Sequence, residues 1–193
     1  VTLSAQIEEP TVTAAELEKV LFRDVLGTYT THVGGTSGRV NNVRLSAKAI
    51  NGYVLNSGDV FSYNTVVGKR TTAKGYSSAP AYVNGATVDE VGGGICQTSS
   101  TLYMATLLSN LEIVTRAAHR YIPSYITPGM DATVSWGGPE YEFRNDTQYP
   151  IRISASVSSG KNLTVTIYGT KVDDTYVKMT YEKLGTIPYE TIY

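Results

Sequence analysis

The sequence is short of cysteine, of charge and of long apolar runs, and each shortage excludes a class of protein. Its 193 residues contain one cysteine, Cys96, so the chain cannot form an internal disulfide or a thiolate zinc site. Charged residues make up 17% of the chain and the formal net charge is -1, so binding to nucleic acid or to an anionic membrane surface is not expected. No run of about 18 apolar residues is present, so no membrane insertion is expected.

The sequence does not begin with methionine, and its first residues lack the basic and apolar stretches of a signal peptide. We therefore expect it to be a piece of a longer protein. Hydrophobic residues make up 41% of the chain, which together with the small net charge predicts a folded chain. A polar, low-charge composition rich in Tyr and Gly is typical of secreted bacterial wall proteins. We expect an extracellular location at the cell wall or cell surface, and a monomer.

Apolar periodicity and turn residues predict an α+β fold. Helices are predicted from a capping box at Thr13 to about Gly27, from caps at Asn41-Asn42 to Gly52, and from Cys96 onward. The last of these is apolar on a broad face, so we predict that it is buried against a mainly antiparallel sheet in a single catalytic domain. The predicted strands are 112–116, 122–126, 131–136, 143–145, 151–157 and 163–168, with a hairpin of 81–83 and 87–88 across Asn84-Gly85.

We divide the chain into three parts. Residues 1–27 are interpreted as the end of a preceding module, or a linker, with one helix. Residues 28–170 are interpreted as the catalytic domain. Residues 171–193 are polar and aromatic, and we interpret them as a linker and the start of a following β-rich module.

Residues 92–97 read Gly-Gly-Gly-Ile-Cys-Gln and lead into the predicted buried helix. Three consecutive glycines cost conformational entropy, so we expect them to provide positive φ angles or to let another segment approach closely. Cys96 then lies at or near the helix N-terminus, where the helix dipole favours a thiolate by about 0.3–1 kcal/mol. That is too little to activate a thiol, so a cationic partner is expected.

His119 follows the predicted strand 112–116, which can bring it back toward the start of the helix. We predict Cys96 as nucleophile, His119 as base and Asp131 as the residue that orients the imidazole. Gln97, Thr98 and Ser99 suit capping of the first helical turn, and the amides of that turn, or the Gln97 side chain, are the candidate donors to the oxyanion. His32 lies in a loop rich in Thr and Gly, has no partner motif and is expected to be structural.

The residues alone leave other interpretations open. A lone cysteine beside apolar residues is often a small buried hydrophobe, and His119 and Asp131 could be structural. The glycine run before a helix could instead bind an anion. Trp136 is most simply a core residue at a hairpin turn, although an exposed Trp would suit a glycan or peptide groove.

Other chemistries fit less well. A glycoside hydrolase needs two opposed carboxylates, whereas Asp89 and Glu90 are adjacent and would point to opposite faces of a strand. Two distant histidines and one cysteine provide no metal-binding set, so no metal and no cofactor are expected. The glycine run is not followed by Lys-Ser or Lys-Thr, which excludes a phosphate-binding P-loop.

Taken together, several segments resemble the VanW domain family, which is named from a glycopeptide-resistance cluster. The resemblance covers about residues 28–170. Where family sequences often have a His-Pro-His-Ser-like stretch, this chain has Ala117-Ala118-His119-Arg120, which keeps the second His, and Glu140 stands where Asp is common. The matching segments are 45–52 with 54–64, 68–71 with 75–76, 92–103, 125–134, and 143–145 with 150–151.

The resemblance implies an L,D-transpeptidase with Cys96 as its nucleophile, because some clostridial wall proteins of this family have that activity. The expected reaction forms 3-3 cross-links in peptidoglycan through an acyl-enzyme, so stem peptides are the expected partners. Arg116 and Arg144 are candidates for a substrate carboxylate, which Arg binds bidentately, although structural ion pairs are the simpler interpretation of both. The full set of expected substrate-binding residues is Gly93, Gly94, Gln97, Arg116, Tyr125, Trp136 and Arg144.

Two other functions stay open on sequence grounds. The first is a non-catalytic peptidoglycan-binding or scaffold module, which would use exposed aromatic side chains. The second is a cysteine peptidase or amidase acting on stem peptides, which would differ only in using water as the acceptor.

Overall fold

A computed structural model describes residues 13–83 and 86–185. The helices, in chain order, are α1 (Ala14–Val20), α2 (Ser37–Ile50), α3 (Tyr63–Val67) and α4 (Cys96–Leu108), with a 3-10 turn at Thr72–Lys74. The strands are β1 (Asp24–His32), β2 (Val54–Leu55), β3 (Val60–Ser62), β4 (Ser78–Val83), β5 (Ala86–Val91), β6 (Glu112–Thr115), β7 (Glu142–Arg144), β8 (Ile151–Val157) and β9 (Asn162–Gly169).

Within the described ranges every strand pairing is antiparallel. The main sheet has the order β1-β9-β8-β2, a smaller sheet has the order β3-β7-β6, and β4 and β5 form a hairpin. Strand β8 buries Ile151, Ile153 and Ala155 on one face while Arg152 points away, which is the alternation expected of a half-solvated strand. On the buried face, α4 packs against β1 and β9 and α2 packs against β8. The predicted α+β fold, with a buried helix on a mainly antiparallel sheet, is confirmed.

The first helix is shorter than predicted. Thr13 and Glu16 form the expected capping box, but α1 ends at Val20 rather than near Gly27. Gly27 lies in the middle of β1, where a Cβ atom would come within 2.6 Å of the Ala105 carbonyl oxygen and of the Ser109 hydroxyl of the α4 end. Gly27 therefore lets the first strand of the sheet approach the central helix.

Three other predicted elements differ. Asn41 and Asn42 do not cap α2, which begins at Ser37 with Thr36 as its N-cap. Instead the buried Asn42 side chain bonds backbone groups of Ser77 and Gly93. Residues 122–126 and 131–136 are not strands. In the second segment the amides of Ala132, Thr133 and Ser135 donate to the Ser100 hydroxyl of α4, the Ala117 carbonyl and the Pro139 carbonyl, and not to a strand. The β4-β5 hairpin is confirmed in its pairing, while its tip, Asn84-Gly85, lies outside the described residues.

The segments at both ends of the predicted domain contact it. Strand β1 begins at Asp24, before residue 28, and the Thr170 hydroxyl donates to the Val20 carbonyl at 2.6 Å. Met179, beyond β9, packs with Met104, Ile126 and Met130. The division of the chain at residues 27 and 170 stays a prediction. In the described ranges there is no helix with the length and apolar character needed to cross a membrane.

Replacing Gly27 by Ala is expected to lower the free energy of unfolding by about 1–3 kcal/mol, because the added methyl group would press β1 away from the backbone of α4. Gly34→Ala is the matched control. A Cβ atom there meets nothing within 4 Å, so the change should stay within about 0.5 kcal/mol. Urea unfolding followed by circular dichroism measures both. Equal effects of the two substitutions would contradict this account of Gly27.

Candidate active site

Each glycine before Cys96 has a physical reason in the structure. Gly92 and Gly94 have φ angles of +91° and +99°, which side chains rarely adopt. A Cβ atom on Gly93 would lie 2.2 Å from the Ala79 carbonyl oxygen, so the β4 backbone occupies that space. A Cβ atom on Gly94 would lie 2.6 Å from Cγ of Arg39. The missing side chains thus make room for the protein itself, and a role of Gly93 and Gly94 in substrate binding stays a prediction.

Cys96 is the first residue of α4 and is half-buried. Its sulfur lies 3.3 Å from the Val134 carbonyl oxygen and 3.8 Å from the Thr133 hydroxyl. The amides of the next two residues, Gln97 and Thr98, donate to carbonyl groups within the turn. The Cys96 amide itself has no acceptor in the described part of the chain, so it is free to donate to a ligand beside the sulfur.

His119 and Asp131 meet beside this thiol. One carboxylate oxygen of Asp131 accepts the backbone N–H of His119 at 2.6 Å and also contacts His119 Nδ1 at 2.5 Å. Because Nδ1 is engaged by the carboxylate, Nε2 is the ring nitrogen left to interact with the Cys96 thiol, whose pKa responds to His119. The structure therefore brings together the three residues predicted to be catalytic, in the order thiol, imidazole, carboxylate.

Burial alone would raise the pKa of the Cys96 thiol, but the hydrogen bond and charge of His119 hold this pKa below its usual value. Burial would likewise lower the pKa of His119, and the contacts with Cys96 and Asp131 raise it instead. Asp131 keeps a lowered pKa despite its own burial, because it accepts hydrogen bonds from His119 and faces Arg116. The directions of these three pKa shifts favour the charged forms at neutral pH: a thiolate, an imidazolium and a carboxylate.

Arg116 is engaged by the loop that carries Asp131. Its Nε donates to the Asp131 carbonyl at 2.6 Å, and its Nη2 donates to the Gly129 carbonyl and to the Asp131 carboxylate. The guanidinium also lies 5.2 Å from the centre of the Tyr103 ring. These contacts make Arg116 a support for Asp131, and the prediction that it binds a substrate carboxylate does not agree with them.

The segment after Asp131 is fixed by the first turns of α4. The Ser99 hydroxyl donates to the Ala132 carbonyl at 2.7 Å, and the Ser100 hydroxyl accepts from the Ala132 amide at 3.0 Å. Residues 131–134 therefore dock on the helix instead of joining a sheet, which is why the predicted strand is absent. The sequence did show polar residues at 97–101, and their complete burial is the feature that sequence reasoning missed.

Gln97 does not face the thiol. Its side chain is fully buried, and its Nε2 donates to the Thr31 hydroxyl and to the His32 carbonyl, both at 2.9 Å. Its Oε1 accepts from Nη2 of Arg39 at 2.8 Å. With both ends of the amide engaged, the prediction that the Gln97 side chain binds the oxyanion is wrong, and its role is to hold Arg39.

Arg39 was not anticipated from the sequence. It projects from the first turn of α2, its guanidinium lies 5.9 Å from the centre of the Tyr125 ring, and its charge interacts with Cys96. Tyr125 also lies edge-on to His119, with 6.5 Å between the ring centres. Tyr125 and Arg39 thus form one side of the site.

The remaining two predicted residues are elsewhere or exposed. Arg144 donates to the Glu112 carboxylate at 2.8 Å and to the Gly58 carbonyl at 3.2 Å. It therefore ties β7 to β6 and to the turn before β3, and it does not face Cys96. Trp136 is 54% exposed, so its assignment to the core is wrong, and binding of a ligand by its ring stays a prediction. No group of three His, Cys, Asp or Glu side chains suited to a metal ion occurs among residues 13–83 and 86–185.

A family model described as VanW like protein matches residues 38–168, which include Arg39, Cys96, His119 and Asp131. The chain belongs to the VanW-like family. The resemblance expected from the sequence is thereby confirmed. No solved structure matches this VanW-like chain.

Two relatives of this VanW-like chain give its setting. It is 43% identical over 177 residues to the uncharacterized protein YoaR of Bacillus subtilis (strain 168), covering 91% of this chain and 58% of YoaR. It is 30% identical over 129 residues to the vancomycin B-type resistance protein VanW of Enterococcus faecalis (strain ATCC 700802 / V583), covering 64% of this chain and 46% of that protein. The chain spans about half the length of the relatives it matches.

Replacing His119 by Gln should raise the pKa of Cys96 above the ordinary thiol value, because the burial that raises this pKa stays while the imidazole is lost. The pH dependence of alkylation by iodoacetamide measures this pKa, and the single cysteine makes the labelling unambiguous. His32→Gln is the control, since His32 is exposed and bonds Asn162. The proposed coupling fails if both variants titrate as the wild type does.

Replacing Asp131 by Asn should lower the free energy of unfolding at pH 7 by about 1–3 kcal/mol, because a buried charged acceptor of three hydrogen bonds is lost. The folded-state pKa of Asp131 is depressed, so its contribution is present above the unfolded carboxyl pKa and lost as pH falls through the folded value. The difference between wild type and variant should therefore shrink below about pH 4.

Thermal unfolding measured across pH tests this dependence. The matched control is Asp174→Asn, which removes an exposed carboxylate and should leave stability unchanged. A difference between wild type and Asp131→Asn that stays constant from pH 7 to pH 3 would contradict the assignment.

Proposed function

We propose that this chain is the catalytic part of a peptidoglycan L,D-transpeptidase that forms 3-3 cross-links. The observation that carries the proposal is the contact of Cys96 with His119 and of His119 with Asp131, with pKa directions that favour a thiolate paired with an imidazolium. A buried cysteine with a purely packing role would have a raised pKa and no cationic neighbour. The imidazole also has the orientation that acyl transfer requires, because Asp131 fixes Nδ1.

In the first half-reaction the Cys96 thiolate attacks the carbonyl carbon of the third residue in a donor stem peptide. The S–C bond forms, the C–N bond to the terminal D-Ala breaks, and the His119 imidazolium gives its proton to the departing amine. The free amide of Cys96 is the donor available for the oxyanion of the tetrahedral intermediate, in place of the Gln97 side chain.

In the second half-reaction a side-chain amine of a neighbouring stem attacks the thioester. Neutral His119 takes the proton from this amine, a new C–N bond forms, and the Cys96 thiolate is released. Carboxylate Asp131 stays ionised throughout and stabilises the imidazolium each time it forms. The two half-reactions return the site to its starting protonation state.

Substrate and location are part of the proposal. A relative carries vancomycin resistance in its name, and a resistance protein of that kind is consistent with action on the cell wall. We accordingly place the whole protein outside the membrane, at the cell wall or cell surface. Stem peptides are then the partners that its site meets.

Purified tetrapeptide muropeptides test the reaction. The wild-type protein is expected to give cross-linked dimers by mass spectrometry, and its intact mass should show a stem acyl group on Cys96. Cys96→Ala should reduce dimer formation by at least about 10³-fold, because the covalent route is lost. His32→Gln, away from the thiol, is the control variant.

The other functions give different products. Dimers formed equally well by Cys96→Ala would overturn the covalent mechanism. Hydrolysed stems without dimers would identify a cysteine peptidase or amidase, and binding of muropeptides without turnover would identify a binding module.

A further inference from the structure

Arg39 is a half-buried cation beside the thiol that has no carboxylate partner among the residues that the structure describes. Its Nη1 donates to the Gly34 carbonyl and its Nη2 donates to Gln97 Oε1, each at 2.8 Å, and both acceptors are neutral. Arg116 and Arg144, in contrast, pair with carboxylates at 3.2 and 2.8 Å. A guanidinium has five N–H donors, so the two bonds of Arg39 leave donors for an anionic ligand.

The orientation of Arg39 is fixed by side chains that do not move without cost. Gln97 Oε1 faces the guanidinium because the amide nitrogen is held by Thr31 and the His32 carbonyl inside the protein. Gly94 leaves room for the Arg39 side chain, because a Cβ atom at Gly94 would come within 3.1 Å of Nε of Arg39. A cation held in this way loses little freedom when it binds a ligand, which strengthens recognition.

Arg39 lies next to the segment that carries the sulfur, because Gly94, two residues before Cys96, packs against the Arg39 side chain. Burial lowers the pKa of Arg39, while the neighbouring Cys96 and Tyr125 oppose that shift, so all three groups share one electrostatic environment. The Tyr125 ring covers the guanidinium at 5.9 Å from its centre and also lies edge-on to His119. A ligand atom near the thiol is therefore within the field of Arg39.

We propose that Arg39 binds the C-terminal carboxylate of the residue that is released from the donor peptide. This inference rests on the proposed function and names how that site selects its donor. In a peptide cleaved one residue from its end, the terminal carboxylate lies one residue beyond the attacked carbonyl, about 3.5 Å along an extended chain. A carboxylate at that short, fixed distance is the anion that a guanidinium beside the nucleophile can reach, and Arg binds it through two parallel N–H bonds.

The consequence is selection for donors with a single residue after the scissile bond. A donor with two residues after that bond carries its carboxylate a further residue away and puts a neutral amide against Arg39. The site would thus distinguish tetrapeptide from pentapeptide stems by charge. Tyr125, which packs on the guanidinium, would limit the space beyond it.

Binding to Cys96→Ala protein tests the inference without turnover. The probes are a tetrapeptide stem with a free terminal carboxylate and the same peptide with a terminal carboxamide, measured by titration calorimetry. We expect the free acid to bind about 10- to 100-fold more tightly, as charge-assisted hydrogen bonds do. Adding Arg39→Gln should abolish that preference, and Arg39→Lys should restore part of it.

Arg44→Gln is the matched control in the same background, because Arg44 is exposed on the same helix α2. It should keep the full preference for the free acid. Equal binding of acid and carboxamide by Cys96→Ala protein overturns the proposal, and that comparison does not depend on whether the Arg39 variants fold.

Turnover by protein that retains Cys96 separates this role from a role at the oxyanion. If Arg39 binds the terminal carboxylate, Arg39→Gln slows the free acid and leaves the carboxamide at its already low rate. An equal loss on both substrates would instead assign Arg39 to the oxyanion and overturn the inference. Preferential binding of the acid through Arg39, with no dimers from any donor, would leave the carboxylate site standing while the proposed function failed.

Discussion

The orientation and the pKa of the His119 imidazole, and through them the pKa of the Cys96 thiol, depend on the buried carboxylate of Asp131. One of its oxygens accepts both the backbone N–H of His119 and the contact with Nδ1, while Arg116 holds the other oxygen and the carbonyl of the same residue. A buried negative charge is stable only with such partners. The contact with Asp131 raises the pKa of the His119 imidazole, and the interaction with His119 lowers the pKa of the Cys96 thiol.

The first two turns of α4 carry this arrangement into the fold. They are buried although their side chains are polar, and these side chains bond three surrounding segments. Gln97 reaches β1 and Arg39, Thr98 bonds Ser46 of α2, and Ser99 and Ser100 hold Ala132. Together these bonds fix β1, α2 and the loop after Asp131 around Cys96, and burial in a low-dielectric interior makes each bond costly to break.

Local sequence patterns were enough to identify the parts of the molecule that depend on local physics. The capping box at Thr13, the alternation in β8, the pairing of β4 with β5 and the helix after Cys96 all follow from residues near one another in sequence. The early end of α1 at Val20 does not, because Gly27 is required by contact with a helix about 80 residues later.

The candidate site likewise has parts that nearby residues predict and parts that depend on distant contacts. Cys96, His119 and Asp131 could be proposed from residue type and spacing, and the structure brings the three together. The contacts of Gln97 could not be proposed in this way. A side-chain amide at the start of a helix can bind an oxyanion or join a buried hydrogen-bond network, and only the positions of Thr31 and Arg39 in the fold decide between these roles. Arg39 itself lies 57 residues before the thiol on another helix, and no local pattern connects the two.

The two sides of the thiol differ in how they are built. On one side lies α4, where the hydroxyl groups of Thr98, Ser99 and Thr101 form hydrogen bonds that tolerate little change in length or angle. The loop that ends in Asp131 packs through Ile126 and Met130 against Met104 of α4 and against Met179, so all three methionines of the chain meet there. Thioether side chains repack easily, because they are unbranched and polarizable. Hydrogen bonds thus hold the helix of Cys96 in place, whereas the loop that ends in Asp131 packs partly on thioether side chains, which can adjust without breaking a hydrogen bond.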